Sequence, residues 1–248
     1  MKKKGVQILY KDDVLIAVSK PYGMIVNNAD TSQYSYTLQD WVKEKAESGE
    51  LRMESVFGSE FEDRSGIVHR LDKETSGVLL IARSVEGFVK LQSQFKERIV
   101  KKVYVALCHG EFPESGSVSV PVGRLPWNRK RFGVVPEGRE AETSFELISR
   151  FENPDDRKET LSFVRAFPKT GRTHQIRVHL QYAGFPIYAD LFYTGRKVAA
   201  RDRKRLSRHF LHAEKISFSH PKTQEEIVIT APLPDDLSEF IKKLKKRA

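Results

Sequence analysis

A single cysteine, Cys108, is all the thiol chemistry this 248-residue chain offers, and it excludes an intrachain disulfide framework. Within the apolar run VYVALC it reads as a small buried hydrophobe with an inert sulfur. No apolar run reaches the roughly 18 residues of a membrane span. The opening MKKKGVQILYKDD is basic but lacks the apolar segment of a secretory signal, so a soluble cytoplasmic protein is expected. The chain also lacks G-x-x-x-x-G-K-[ST], a G-x-G-x-x-G following a strand, and H-E-x-x-H. Nucleotide hydrolysis, dinucleotide chemistry and zinc peptidase chemistry are thereby left without their minimal signatures. Seven histidines with one cysteine, and no clustering of His with carboxylates, give no basis for a metal site.

What the chain does have is positive charge. Forty-three Lys and Arg face 33 Asp and Glu, a formal charge of +10 with a pI near 9.6, which favours a polyanionic partner, nucleic acid before an anionic membrane surface. The 39% apolar content suffices for a sizeable core in one large domain or two closely joined ones. His174 and His179 lie five apart on a predicted helix, about 140° around its axis, so they do not converge on one ion; packing or RNA contact is expected of them.

Hydrophobic periodicity alternates between strand and helix without an internal repeat. VLIAVSK (14–20) reads as a buried strand stopped by Pro21 and Gly23, and Thr37 caps a helix to about 47 with Leu38, Trp41 and Val42 on one face. Residues 48–65 are polar and read as a loop. GVLLIARS is a buried strand; Ser84 then caps a helix with Phe88, Val89, Gln92, Phe95 and Ile99 at helical spacing. KKVYVALCHG, GSVSVPV, ETSFELISRF and ETLSFVRAF read as strands. RTHQIRVHLQYAG returns to the helical period, with Thr173 as candidate cap and Gly184 as stop. HFLHAEKISFSH and EEIVIT are the last strands. A C-terminal helix, about 234–247, opens with Asp235 and Asp236, buries Leu237, Phe240, Ile241 and Leu244, and ends in KKLKKR, as the macrodipole favours. The helices are too few for a doubly wound repeat, so the expected fold is α+β, a mixed, largely antiparallel sheet with flanking helices. A single domain over 1–248 is expected, its core about 6–232, with two lobes and a central cleft.

Residues 69–77, HRLDKETSG, pack an arginine, a lysine, two carboxylates and two hydroxyls into a turn between two apolar strands. An aspartate near an arginine stays ionised, as a nucleophile must, so Asp72, Arg177 of TGRTHQIRVHL and the ring and hydroxyl of Tyr104 form a set that can do chemistry on a base. Each has a plain structural counterpart: an Asx turn, an ion pair and a strand aromatic.

These segments carry a resemblance. HRLDKETSG is similar to the H-R-L-D-x-x-T-S-G signature of the RluA-type RNA pseudouridine synthases. VLIAVSKPYGMIV resembles that family's opening strand and Lys-Pro motif, and KKVYVALCHG its tyrosine segment. PVGRLPWNRKRF and REAETSFELISRF resemble its middle strands, TGRTHQIRVHLQYAGFPIYAD its Arg-bearing helix, and FLHAEKISFSHP its C-terminal strand. The likeness runs from about residue 6 to 232. It implies the pseudouridine synthase catalytic fold and an isomerase that converts specific uridines of structured RNA, ribosomal before transfer RNA, to pseudouridine after base flipping. Asp72 is implied as nucleophile, Tyr104 as the ring on the target base and a candidate proton acceptor, Arg177 as the partner of the aspartate, and Arg70 as the residue that fills the space the flipped base leaves. No cofactor or metal is implied, because substrate and product contain the same atoms, and no obligate protein partner or membrane. The small N-terminal RNA-binding domain of many relatives is not expected here.

Two basic stretches suit RNA. RLPWNRKRF (124–132) interleaves Arg124, Arg129, Lys130 and Arg131 with Trp127 and Phe132. GRKVAARDRKRLSRH (195–209) supplies Arg196, Lys197, Arg201, Lys204 and Arg205; its plain alternative is a solvated, partly disordered loop. The chain departs from the family at Asn27 and Asn28, where relatives often have histidine, and at Ala189, where glycine commonly precedes aspartate; neither is expected to touch the chemistry. The alternative reading is a non-catalytic RNA-binding protein with the same fold, and a third is a glycosidase acting on nucleic acid.

Overall fold

The computed structural model describes residues 5–28, 36–55, 58–156 and 158–247, with the side chains of Arg129 and Lys130 outside the description. The chain divides into two compact units, residues 1–101 with 213–232, and residues 102–212 with 233–248.

In the first unit, β1 (Gln7–Lys11) pairs antiparallel with β2 (Leu15–Lys20), which pairs antiparallel with β3 (Ser76–Ala82). Beyond β3 lies β10 (Leu211–Ser219), which carries β11 (Glu226–Thr230) antiparallel. Every residue of β3 is buried, as its unbroken apolar run requires of a strand covered on both faces. Helix α1 (Leu38–Glu47) starts at Thr37 in a complete capping box with Asp40. Asn28 reinforces it, accepting from the Thr37 hydroxyl at 2.8 Å and donating to Asp40 at 3.0 Å. The polar 48–65 segment is not wholly loop, since Ser59 caps a short helix, α2 (Glu60–Asp63). Helix α3 (Val85–Lys96) begins at Ser84 as the sequence predicts. Its buried line, however, runs through Phe88 and Leu91, while Val89 and Ile99 are exposed. Arg98 adopts a left-handed φ of 63°, so Ile99 lies past the helix end and off its face.

In the second unit, β4 (Lys101–His109), β9 (Thr160–Pro168), β8 (Glu142–Glu152) and β5 (Ser115–Ser119) form a run of antiparallel neighbours. Hairpin β6 (Val122–Leu125) and β7 (Asn128–Val134) forms a sheet of its own, with Trp127 in its turn 79% exposed. Phe145, Leu161, Val164, Leu180, Tyr188 and Phe210 centre the core. Helix α4 (Gln175–Tyr182) ends before Gly184, whose φ of 88° is the left-handed stop expected there. Thr173 does not cap it. The N-cap residue is His174, left-handed at φ 58° and making no side-chain cap bond. Residues 196–202 form helix α5 (Arg196–Asp202) rather than a loop, because buried Ala199 and Asp202 anchor it by one face. Helix α6 (Asp235–Lys242) carries Asp235 and Asp236 in its first turn and buries Leu237 and Phe240. It is shorter than 234–247: Lys243 is the C-cap, and Lys246 bridges Phe151 as an extended residue.

The pairs described are antiparallel, and helices flank the sheets, which is the α+β architecture that the element pattern predicts. Among the described residues no helix is long and apolar enough to cross a membrane.

Candidate active site

The signature turn belongs to the first unit. Thr75 closes it by donating its backbone N–H to the Asp72 carbonyl at 3.1 Å. The next carbonyl, of Lys73, accepts from the Gly23 N–H at 2.7 Å and from the Lys20 ammonium at 3.3 Å. Lys20 is fully buried and also donates to the carbonyls of Pro21 and Met24, so the Lys-Pro motif fastens the turn that carries Asp72. At the turn's far end Gly77 has φ 123°, and a Cβ there would strike the Ala213 backbone; only glycine fits. His69 accepts from the Leu80 N–H at 2.9 Å through Nε2 and lies on Phe95, ring centroids 4.6 Å apart. The histidine of HRLD is thus a brace. Asp72 is half-buried and Arg70 exposed.

Tyr104 and Arg177 belong to the second unit. Tyr104 is half-buried on β4, opposite Ala166 of β9. Lys102, two residues earlier and so on the same strand face, donates to the Thr170 carbonyl at 3.2 Å, and burial pushes its amine down to about 8. Arg177 lies in the first turn of α4 and is nearly inaccessible. Its Nε and Nη2 donate to the two carboxylate oxygens of Asp190 at 2.7 and 2.9 Å, a bidentate pair. Burial favours a neutral Asp190, but the guanidinium outweighs it and holds the carboxyl down at about 2. The rings of Tyr193 and Phe192 lie 5.0 and 5.6 Å from the guanidinium carbon, two cation–π contacts of modest strength. The start of α4 is fixed by Gln175. Its amide accepts from the Thr170 hydroxyl and the Arg172 N–H and donates to the Glu142 carbonyl and the Thr143 hydroxyl, which uses its hydrogen-bonding capacity in full.

Ala189 lies in the segment that carries the partner of Arg177. It is buried, holds a left-handed φ of 61°, and directly precedes Asp190. A glycine would adopt that conformation freely.

The basic stretches are unevenly committed. Arg124 lies over Phe132 at 5.2 Å and Arg131 over Phe192 at 5.8 Å, with Arg131 also donating to the Phe192 carbonyl; Arg129 and Lys130 fall outside the described side chains. Arg196, Lys197 and Lys204 are exposed. Arg201 pairs with Glu159 and Asp202, and Arg205 with Asp155 at 2.8 Å. His179 is a packing residue, bonded to the Thr143 hydroxyl at 3.0 Å, and burial pushes its pKa down.

Asp190 and Gln175 do not stand out in the sequence, whereas Lys20 does, as the lysine of the Lys-Pro motif. The family pattern of a glycine before aspartate is the available signal for Asp190.

Comparison with known proteins agrees with the signature. The family model described as RNA pseudouridylate synthase matches residues 14–182. An RNA pseudouridine synthase of Chloroflexus aurantiacus, described as uncharacterized, is 43% identical over 185 residues, covering 75% of this chain and 55% of the relative. Ribosomal large subunit pseudouridine synthase D of Nitrosomonas europaea is 32% identical over 242 residues, covering 96% of this chain and 65% of the relative. The chain thus spans less than two thirds of the length of either relative. The solved structure of human RNA pseudouridylate synthase domain containing 1 shares the fold, with a TM-score of 0.73 at 22% identity over 100% of this chain and 91% of that one. With its family model matched over more than half its length and its signature turn intact, the chain belongs to the RNA pseudouridylate synthase family.

Proposed function

We propose that the protein is an isomerase that converts specific uridines of structured RNA to pseudouridine, with ribosomal RNA as the first substrate to test and transfer RNA the second. One observation carries the reading: Asp72 stands half-buried in a turn fastened at the next residue by Lys20 and Gly23, in a chain of this family. A carboxylate fixed by its backbone is oriented before substrate arrives, which is what a nucleophile gains from a rigid scaffold. The ribosomal substrate is suggested by the name of the Nitrosomonas relative.

In this reading the target uridine leaves its stack, and exposed Arg70 occupies the vacated space. The Asp72 carboxylate forms a covalent bond to the base or the sugar as the N1–C1′ bond breaks. The base turns, C5 bonds to C1′, the bond to Asp72 breaks to restore the carboxylate, N1 takes up a proton and C5 gives up its own, so no atom of the uridine is lost apart from exchanged protons. Tyr104 packs on the base and is the candidate acceptor of the C5 proton. Arg177 pairs with the Asp72 carboxylate. Arg124, Arg129, Lys130 and Arg131, with Arg196, Lys197, Arg201, Lys204 and Arg205, bind the RNA backbone, and the setting is cytoplasmic.

The test is release of tritium from RNA labelled at C5 of uridine. Release by the wild type, abolished in Asp72→Asn and reduced about a hundredfold in Tyr104→Phe, is the expected result. No release from any cellular RNA would favour a non-catalytic binder. Free uracil among the products would point to a glycosidase.

A further inference from the structure

We propose that His109 is a positioning residue: through Asp202 and Ala189 it holds in place the Asp190 carboxylate that clamps Arg177. The inference rests on the reading of Arg177 as part of the isomerase machinery. His109 ends β4 and is buried, its ring stacked on Tyr188 with centroids 5.3 Å apart. Nδ1 bonds Glu159 at 2.7 Å, and Nε2 bonds the Oδ2 of Asp202 at 2.8 Å. That same Oδ2 accepts the backbone N–H of Ala189 at 3.1 Å. The Ala189 carbonyl is held as well, by the Arg203 Nε at 2.7 Å. The peptide groups on both sides of a left-handed alanine are thus gripped by the end of α5, one residue before the carboxylate that grips Arg177.

This arrangement explains how a non-glycine residue keeps an unfavourable conformation here. A left-handed alanine is strained, and it persists where surrounding bonds over-determine it. It also links α5, whose Arg196 and Lys197 are exposed to solvent, with the arginine on α4 through a short chain of hydrogen bonds. The charged and titratable groups around His109 are Glu159 and Asp202 on its two nitrogens, Arg201 on both of those carboxylates, and Tyr188 on its face, with Asp155 and Arg205 beyond Tyr188. Burial works against the imidazolium, yet Asp202 and Glu159 raise its pKa to about 9. The ring is therefore a cation at neutral pH, donating from both nitrogens.

Hydrogen exchange of the Arg177 Nε–H, assigned by its loss in Arg177→Lys, tests the proposal directly. At pH 7 exchange is expected to accelerate about tenfold or more in both His109→Gln and Asp202→Asn, each shown folded by its melting curve. Turnover of His109→Gln should fall about tenfold with KM for RNA within about twofold of wild type, since the exposed Arg196, Lys197 and Lys204 are untouched. Exchange in a folded His109→Gln within about twofold of wild type would overturn the proposal. Should the variants not fold, the wild type answers alone between pH 7 and 10. Loss of the His109 proton should raise exchange beyond the about tenfold per pH unit of base catalysis, and a rise of tenfold per unit only would refute the link. The exchange readout needs no isomerase activity: a positive result in a protein that releases no tritium would remove the function and keep the positioning role.

Discussion

The guanidinium of Arg177 and the carboxylate of Asp190 form a bidentate pair in which both side chains are buried, 13 residues apart in sequence. Such a pair contributes little net stability when intact, but removing one partner strands a buried charge, a loss of about 3–5 kcal/mol. Asp190→Asn should lower the urea midpoint accordingly. It should also depress turnover in the fraction that remains folded, because the guanidinium loses its orientation. Wild-type stability in that variant would show that the pair is dispensable.

His109 makes stability depend on pH with a definite sign. Its pKa is raised from 6.5 to about 9 on folding, so its contribution is complete below pH 6.5 and is lost as pH climbs through 9. The difference in unfolding free energy between wild type and His109→Gln should shrink by about 3 kcal/mol from pH 6 to pH 10. The comparison must be differential. Lys102, lowered to about 8, works the other way, with stability rising between pH 8 and 10.5 as its folded form has already given up the proton that the unfolded form still holds.

Gly77→Ala should be severe, about 3 kcal/mol or more. The residue lies at φ 123° with its missing Cβ aimed at the Ala213 backbone, and neither strand can yield without loss of pairing. Chemical denaturation of the purified variant checks it. A loss below about 1 kcal/mol would mean the strands relax freely.

Binding to structured RNA should be salt-dependent, and the exposed cations should carry the dependence. Replacing Arg196 and Lys197 by alanine should reduce the slope of log K against log[salt] by about 0.7–0.9 for each phosphate that the two side chains neutralise. Arg205→Ala should change it less, because that guanidinium is already committed to Asp155 at 2.8 Å. Titrations at several salt concentrations separate the two.

Local signals carry over well from sequence to fold. Thr37 and Ser84 cap their helices because the capping interaction needs only residues three apart, and Gly184 stops α4 for an equally local reason. Expectations fail where distant residues decide. A threonine just before α4 resembles a cap, yet the chain enters that helix through a left-handed His174 tied to Tyr193 at 2.8 Å. The basic run after Gly195 has a solvated loop as the plain alternative to RNA contact, but buried Ala199 and Asp202, the latter meeting a histidine 93 residues away, make it helical. The site divides the same way. Asp72 stands out because its motif is compact, whereas Asp190 acquires meaning only once Arg177 is folded against it.

Trp127 gives the protein a built-in optical reporter. It sits in the two-residue turn of hairpin β6–β7, 79% exposed, while the chain's other tryptophan, Trp41, is half-buried on α1. Long-wavelength fluorescence should therefore come mainly from the hairpin tip. If nucleotides stack there, that emission will be quenched as RNA is added, and Trp127→Leu will abolish the signal, so occupancy of this hairpin can be followed in real time without any label.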